Sequence, residues 1–167
     1  LPIKHFVAST NVNDTVPRFL KSGDYQPNPS IATISNAMDV SNPSNFIRIQ
    51  ELFNNDFSDL KSGFTSFSFN DEETRKIMLK VYQQDQYVLD PHGAVGYLGL
   101  KKYLSENPSE AVGVFLETAH PIKFLDVVEQ VLNIQLEIPS NIQSIMHKEK
   151  KSAEISNYTE LKSFLLQ

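Results

Sequence analysis

Cysteine is absent from the 167 residues. Disulfides, thiol nucleophiles and thiolate metal sites are thereby excluded, and the composition suits a reducing compartment, with the cytoplasm the expected location. Basic residues are outnumbered, 15 against 20 acidic ones, for a net charge of −5. That balance argues against nucleic acid or an anionic membrane surface as the main partner. No apolar run approaches the ~20 residues of a membrane span. Glycine is scarce at six residues, and half of these are Gly93, Gly96 and Gly99. Their spacing fits no dinucleotide-binding loop, and neither a Gly-Lys-Ser/Thr phosphate loop nor a Gly-x-Ser-x-Gly elbow is present. An initiator methionine and a signal-peptide pattern are also lacking, and the chain enters directly on an apolar run. A segment of something longer is the expectation.

What is present is organised around residues 111–124. Residues 111–116 are apolar without alternation, which reads as a strand buried on both faces of a parallel sheet. Glu117, Thr118 and His120 then crowd polar groups onto its carboxyl end, and Pro121 suits the first turn of a helix. Ligands of open α/β sheets bind just outside the carboxyl ends of strands.

The same alternation runs through the chain. Strands are expected at residues 3–8, 31–35, 64–69, 87–89 and 111–116. Helices follow each: one opened by Asp14 and stopped by Gly23, and one begun at Asn42-Pro43 with Phe46, Ile49, Leu52 and Phe53 on one face. Residues 54–63 read as a polar connection. Asn70 and Glu73 form a capping-box pair for a helix that buries Ile77, Met78, Val81 and Tyr82. Asp90-Pro91 starts a helix reaching about Glu106, in which the three glycines predict close approach of another backbone or a ligand, sheet packing being the plainer cause. Phe124, Val127, Val128, Val131 and Leu132 mark the helix after that. The fold expected is α/β, a three-layer parallel sheet with crossover helices over residues 1–137. Residues 138–167 read as a tail whose terminal amphipathic helix packs on the same domain.

Four junctions carry proline at a helix start: Val16-Pro17, Asn42-Pro43, Asp90-Pro91 and His120-Pro121. On one sheet edge they bring together Asn11, Asn13, Asp14, Asn36, Asp39, Asn42, Ser44, Asp90, His92, Thr118 and His120. Free N–H groups of helix N-termini there suit a small anion such as phosphate, although helix capping uses the same residue types. His92 and His120 with Asp39 or Asp90 match no metal-ligand spacing, and no metal is expected.

These residues carry a family resemblance. The stretch 117–124, Glu-Thr-Ala-His-Pro-Ile-Lys-Phe, closely resembles the one that closes the cofactor pocket of threonine synthases, pyridoxal-phosphate enzymes of the tryptophan synthase β-like fold type II. Residues 1–6 with 11–19, 35–46 and 90–96 resemble the same family, giving four matches in the family's order. The resemblance implies part of the large domain of such an enzyme, with pyridoxal 5'-phosphate as cofactor. It implies conversion of O-phospho-L-homoserine and water to L-threonine and phosphate, a lyase step of threonine biosynthesis. Thr118 is thereby implied to make the pyridine-nitrogen contact, with Ala119 and His120 beside it in the cofactor set. A hydroxyl there, in place of a carboxylate, leaves the ring nitrogen unprotonated and the cofactor a milder electron sink. The loops at 36–45 and 90–93 should line the site, with Asn13, Asp39, Asn42, Ser44, Asp90 and His92 as substrate-binding residues. The family's Schiff-base lysine and Gly/Asn-rich phosphate loop lie upstream of these residues, and no lysine here sits in the lysine motif. A carboxyl-terminal fragment is therefore expected, inactive alone and in need of the amino-terminal part of the same chain. Two other readings stay open: a non-catalytic anion-binding α/β module, and another enzyme of the fold such as a serine or threonine dehydratase.

Overall fold

Helix boundaries follow local capping chemistry. The structure, a computed structural model, describes residues 3–108, 111–146 and 148–167, so the first two residues of the resembling stretch 1–6 lie outside the described residues. Helix α1 (Thr15–Ser22) stops at Gly23, whose φ of 78° is a left-handed conformation that glycine adopts freely. Helix α4 (Asp71–Asp85) opens on a complete capping box, in which Asn70 accepts from the Glu73 N–H and Glu73 from the Asn70 N–H. Helix α5 (Pro91–Glu106) has Asp90 as its cap and proline in its first turn. A 3-10 turn at Pro121–Phe124, capped by His120, leads into α6 (Leu125–Leu132).

Strands β1 (Phe6–Thr10) and β2 (Phe64–Ser68) pair in parallel, with Phe6 opposite Phe64 and Thr10 opposite Ser68. The crossover between them contains α1, α2 (Phe46–Leu52) and α3 (Phe57–Gly63). The fold is thus α/β with a small parallel sheet, as expected. Its strands are fewer than the sequence suggests.

Residues 31–35 do not form a strand, because side chains have taken their amides. Ile31 N–H donates to Asn13 Oδ1 at 2.8 Å, Thr33 N–H to Asp39 Oδ2 at 3.0 Å, and Ile34 N–H to the Asp71 carboxylate at 3.3 Å. Residues 87–89 are assigned to no strand and pair with none among the described residues. No strand is assigned within residues 111–116 either, and Val112, Val114 and Leu116 stand exposed. Apolar, β-branched sequence predisposes to a strand, but a ladder needs a second backbone. Two boundaries also move. Ser9 and Thr10 belong to β1 and not to a loop, and α3 occupies part of the stretch read as a polar connection. There Asp56 caps by accepting from the Asp59 N–H, and Leu60 is buried. Helix α2 starts three residues later than Pro43, after Asn45.

Two compact units are distinguished, Leu1–Leu136 and Glu137–Gln167. The first holds two apolar clusters. Ile77, Met78 and Val81 of α4 meet Leu89, Ala94 of α5, and Val128 and Leu132 of α6. Val16, Phe19 and Leu20 of α1 meet Phe46, Leu60 and Phe64, with Phe19 edge-on to Phe46 and Phe57 at 5.6 and 5.3 Å. Fully burying such a side chain contributes about 1.5–3 kcal/mol. The second unit contains α7 (Ser140–Met146) and α8 (Tyr158–Leu165), the latter capped by Asn157. No described helix is long and apolar enough to cross a membrane.

Candidate active-site edge

Two polar clusters form where β1 and α5 meet their loops. In the first, Asn11 and Asn13 follow β1 and are almost wholly buried. Asn11 Nδ2 donates to Thr33 Oγ1 and to Asp39 Oδ1, both at 2.8 Å, and its Oδ1 accepts from the Asn13 side chain at 2.8 Å. Asn13 Oδ1 accepts from the Ile31 N–H and, at 3.0 Å, from Ser41 Oγ. Asp39 takes four donors, from Asn11, Asn13, and the Thr33 amide and hydroxyl. Buried polar groups need partners, and here they find them in one another. The loop 31–41 is thereby stitched to the end of β1.

Beside this network lies a cavity of about 330 Å³ between β1, α1 and α2. Its walls are mainly apolar, including Val16, Phe46 and Phe64, with Ser9, Thr10, Asn13 and Asn45 as polar members. Such a composition is usual for small-molecule sites. Asn42 and Ser44 are exposed in the same loop, Asn42 Oδ1 accepting from the Tyr25 hydroxyl at 3.1 Å.

The second cluster is joined to the first through His92. The Ala37 N–H donates to His92 Nε2 at 3.0 Å, which assigns the ring proton to Nδ1. Nδ1 then donates to Asp90 Oδ1 at 2.7 Å, and Phe124 packs on the ring at a centroid distance of 4.4 Å. Asp90 is fully buried and also accepts from the His92 and Gly93 amides. Burial opposes its charge, but the bonds from His92 outweigh that and hold its pKa below the ordinary carboxylate value. Glu117 lies against the first turn of α5, where Gly93 leaves room; a Cβ at residue 93 would overlap the Glu117 carboxyl. Burial first, then the Asp90 charge, push the Glu117 pKa up to about 7.

From Glu117 the chain runs out to Thr118, Ala119 and His120. The Thr118 hydroxyl is exposed and has no hydrogen-bond partner among the described residues. Ala119 is half-buried, and His120 Nδ1 accepts from the Ile122 N–H at 3.2 Å, capping the 3-10 turn.

The residues singled out from sequence thus divide. Asn13, Asp39, Asp90 and His92 come together inside, their polar atoms engaged with one another and with backbone. Asn42, Ser44, Thr118 and His120 are exposed on the loops these four hold. Sequence reasoning gave Glu117, Thr33 and Phe124 no specific part in the site. Glu117 stood in the resembling stretch, but nothing in its neighbours signalled that it turns inward.

Comparison with known proteins bears on this arrangement. A family model described as "Threonine synthase, C-terminal" matches residues 93–165. The chain is 46% identical, over its whole length, to the threonine synthase of Haemophilus influenzae, of which it covers 38%. It superposes on the crystal structure of threonine synthase from Escherichia coli with a TM-score of 0.86 and 40% identity, covering 99% of this chain and 38% of that one. Against the pyridoxal-phosphate-bound threonine synthase from Brucella melitensis the TM-score is 0.76 at 26% identity, over 99% of this chain and 40% of the other. The chain therefore spans about 38% of the length of the curated relatives it matches.

Proposed function

We propose that the chain is the counterpart of the carboxyl-terminal region of threonine synthases, part of a pyridoxal-phosphate enzyme that converts O-phospho-L-homoserine and water to L-threonine and phosphate. The observation that carries this reading is the end-to-end match, 46% in sequence with one relative and a TM-score of 0.86 with a solved structure.

The residues present fit the cofactor at one point. Thr118 offers an exposed hydroxyl, unspent on protein groups among the described residues, while the carboxyl nearest in sequence, Glu117, faces inward. Bound there, the cofactor supplies an electron sink for the substrate's carbon chemistry. Thr118 would hold the pyridine nitrogen through its hydroxyl, which is uncharged and would leave that nitrogen largely unprotonated. Ala119 keeps the adjoining wall apolar. His120 holds the backbone turn after Thr118 through the Ile122 amide. Asn42 and Ser44 meet the substrate from the rim, their loop held by the Asn11–Asn13–Asp39 network. Asp90 and His92 act from beneath, because both ring nitrogens of His92 and both oxygens of Asp90 are already engaged. The chain supplies no Schiff-base lysine in this reading; that group comes from the amino-terminal part of the enzyme, the partner the chain requires.

The test is complementation. The chain is mixed with the amino-terminal part of a threonine synthase relative and pyridoxal phosphate, and phosphate release from O-phospho-L-homoserine is scored alongside threonine. Matched release by the pair, with none from the chain alone, is the expected result. A stoichiometric borohydride-trapped cofactor on the chain alone contradicts the division of labour. Cofactor binding by the pair without release assigns the chain to another substrate of the same fold.

A further inference from the structure

Glu117 Oε2 is buried and receives no hydrogen bond from the described residues. A charged oxygen left so is costly, and native structures leave few such atoms unexplained. Oε1 fares little better, with the Asp90 N–H at 3.4 Å. That contact sets the Glu117 carboxyl beside Asp90, whose charge acts on it. Two carboxyls in one site share a single proton in preference to carrying two charges. Asp90 has no use for it, since its oxygens already accept from the His92 ring and from the amides of His92 and Gly93. On Glu117 the proton converts an orphaned acceptor into a donor facing a charged acceptor. Gly93 completes the fit, because any side chain there would displace the carboxyl from the first turn of α5.

We propose that Glu117 is a positioning residue, held in its acid form, which donates to Asp90 and so anchors the chain immediately before Thr118 to the first turn of α5. Its purpose rests on the enzyme reading above, whereas the bond itself does not. The titratable groups acting on it are Asp90 and His92, both from the start of α5. A carboxyl whose pKa lies above its unfolded value adds stability that is full below the ordinary carboxyl range and lost as pH rises through about 7.

The first test uses this chain labelled with carboxyl-13C glutamate. The Glu117 resonance, identified by its loss in Glu117→Gln, should titrate near pH 7, and a midpoint in the ordinary range of about 4 to 5 overturns the proposal. Melting temperature between pH 5 and 8 gives a second readout. The fall with pH expected of the parent should flatten in Glu117→Gln, which keeps a donor toward Asp90 and an acceptor toward its amide. An unchanged slope overturns the proposal as well. In the complemented enzyme, Glu117→Ala should lower kcat about tenfold or more through misplacement of Thr118, with Glu117→Gln recovering most of it. Equal losses in both variants contradict the positioning role. Absence of any phosphate release from the complemented parent refutes the enzyme reading and leaves the titration to decide on the bond.

Discussion

Asn11 and Thr118 are opposite kinds of polar residue, and substitution separates them. Asn11 is 1% exposed and its side chain serves Thr33, Ser35, Asn13 and Asp39. Asn11→Ala removes the centre of that network, takes one of four donors from Asp39 and leaves the buried Asn13 backbone amide without its acceptor. A loss of about 2–3 kcal/mol in urea unfolding is expected, at the upper end of the cost of unsatisfied buried groups. Thr118 bonds to no protein group among the described residues and lies at the surface. Thr118→Val, which keeps the shape and removes the hydroxyl, should leave stability within about 0.5 kcal/mol. In the complemented enzyme the same change should lower phosphate release by about tenfold to a hundredfold, as expected for one lost hydrogen bond to a reacting group in a dry site. Unchanged release would remove Thr118 from the cofactor set. The polar membership of this edge was legible in the sequence because Asn13, Asp90 and His92 sit beside helix starts and Asp39 lies in the loop between two of them. Which of them would be spent on the protein was not, since the deciding partners lie far away in sequence, as Asn11 and Asp39 do at a separation of 28.

Helix α5 owes its place to its glycines. A Cβ on Gly99 would overlap Ser9 Oγ of β1, and one on Gly96 would just touch Phe115. The helix therefore rides close over both β1 and residues 113–117. Alanine at Gly99 would gain about 1 kcal/mol of helix propensity. Against that, the Ser9 hydroxyl must leave its rotamer and the helix must lift, and overpacking of this kind costs about 1–3 kcal/mol. Gly99→Ala is accordingly expected to be destabilising in chemical denaturation, and less so in a Ser9→Ala background. A coupling of about 0.5–1 kcal/mol in that double-mutant cycle marks the contact, and additivity would deny it. The glycine spacing and the caps Asp90, Asn70 and Gly23 could be read from sequence, because each acts through bonds spanning a few residues. Residues 31–35 and 111–116 could not. Their composition is that of strands, while pairing depends on a backbone elsewhere, and in 31–35 the side chains of Asn13, Asp39 and Asp71 claim the amides first.

The first unit as a whole presents an uncovered face. Along residues 112–117 the odd positions turn toward α5: Phe115 meets Tyr97 edge-on at 5.4 Å, and Glu117 reaches Gly93. The even positions Val112, Val114 and Leu116 are 89%, 77% and 76% exposed. An extended apolar segment without a ladder partner is an association hazard in water and an asset inside a larger sheet. The sequence of this segment suits burial on both faces, yet the described residues cover one of them. Its relatives are more than twice as long, the chain covering 38% of them, and under the proposed function the amino-terminal part of the enzyme supplies the cover. The chain alone should therefore self-associate, while its mixture with that part should sediment as a defined complex. Val112→Thr with Val114→Thr keeps β-branched shape and lowers the apolar drive. That double variant should reduce self-association of the isolated chain and raise the concentration of amino-terminal part needed for half-maximal phosphate release. If sedimentation finds the parent chain monomeric and the complementation midpoint does not move, the face belongs to some other contact. Weaker self-association without a shift in that midpoint would separate the two roles, leaving the exposed face a hazard of the isolated chain alone.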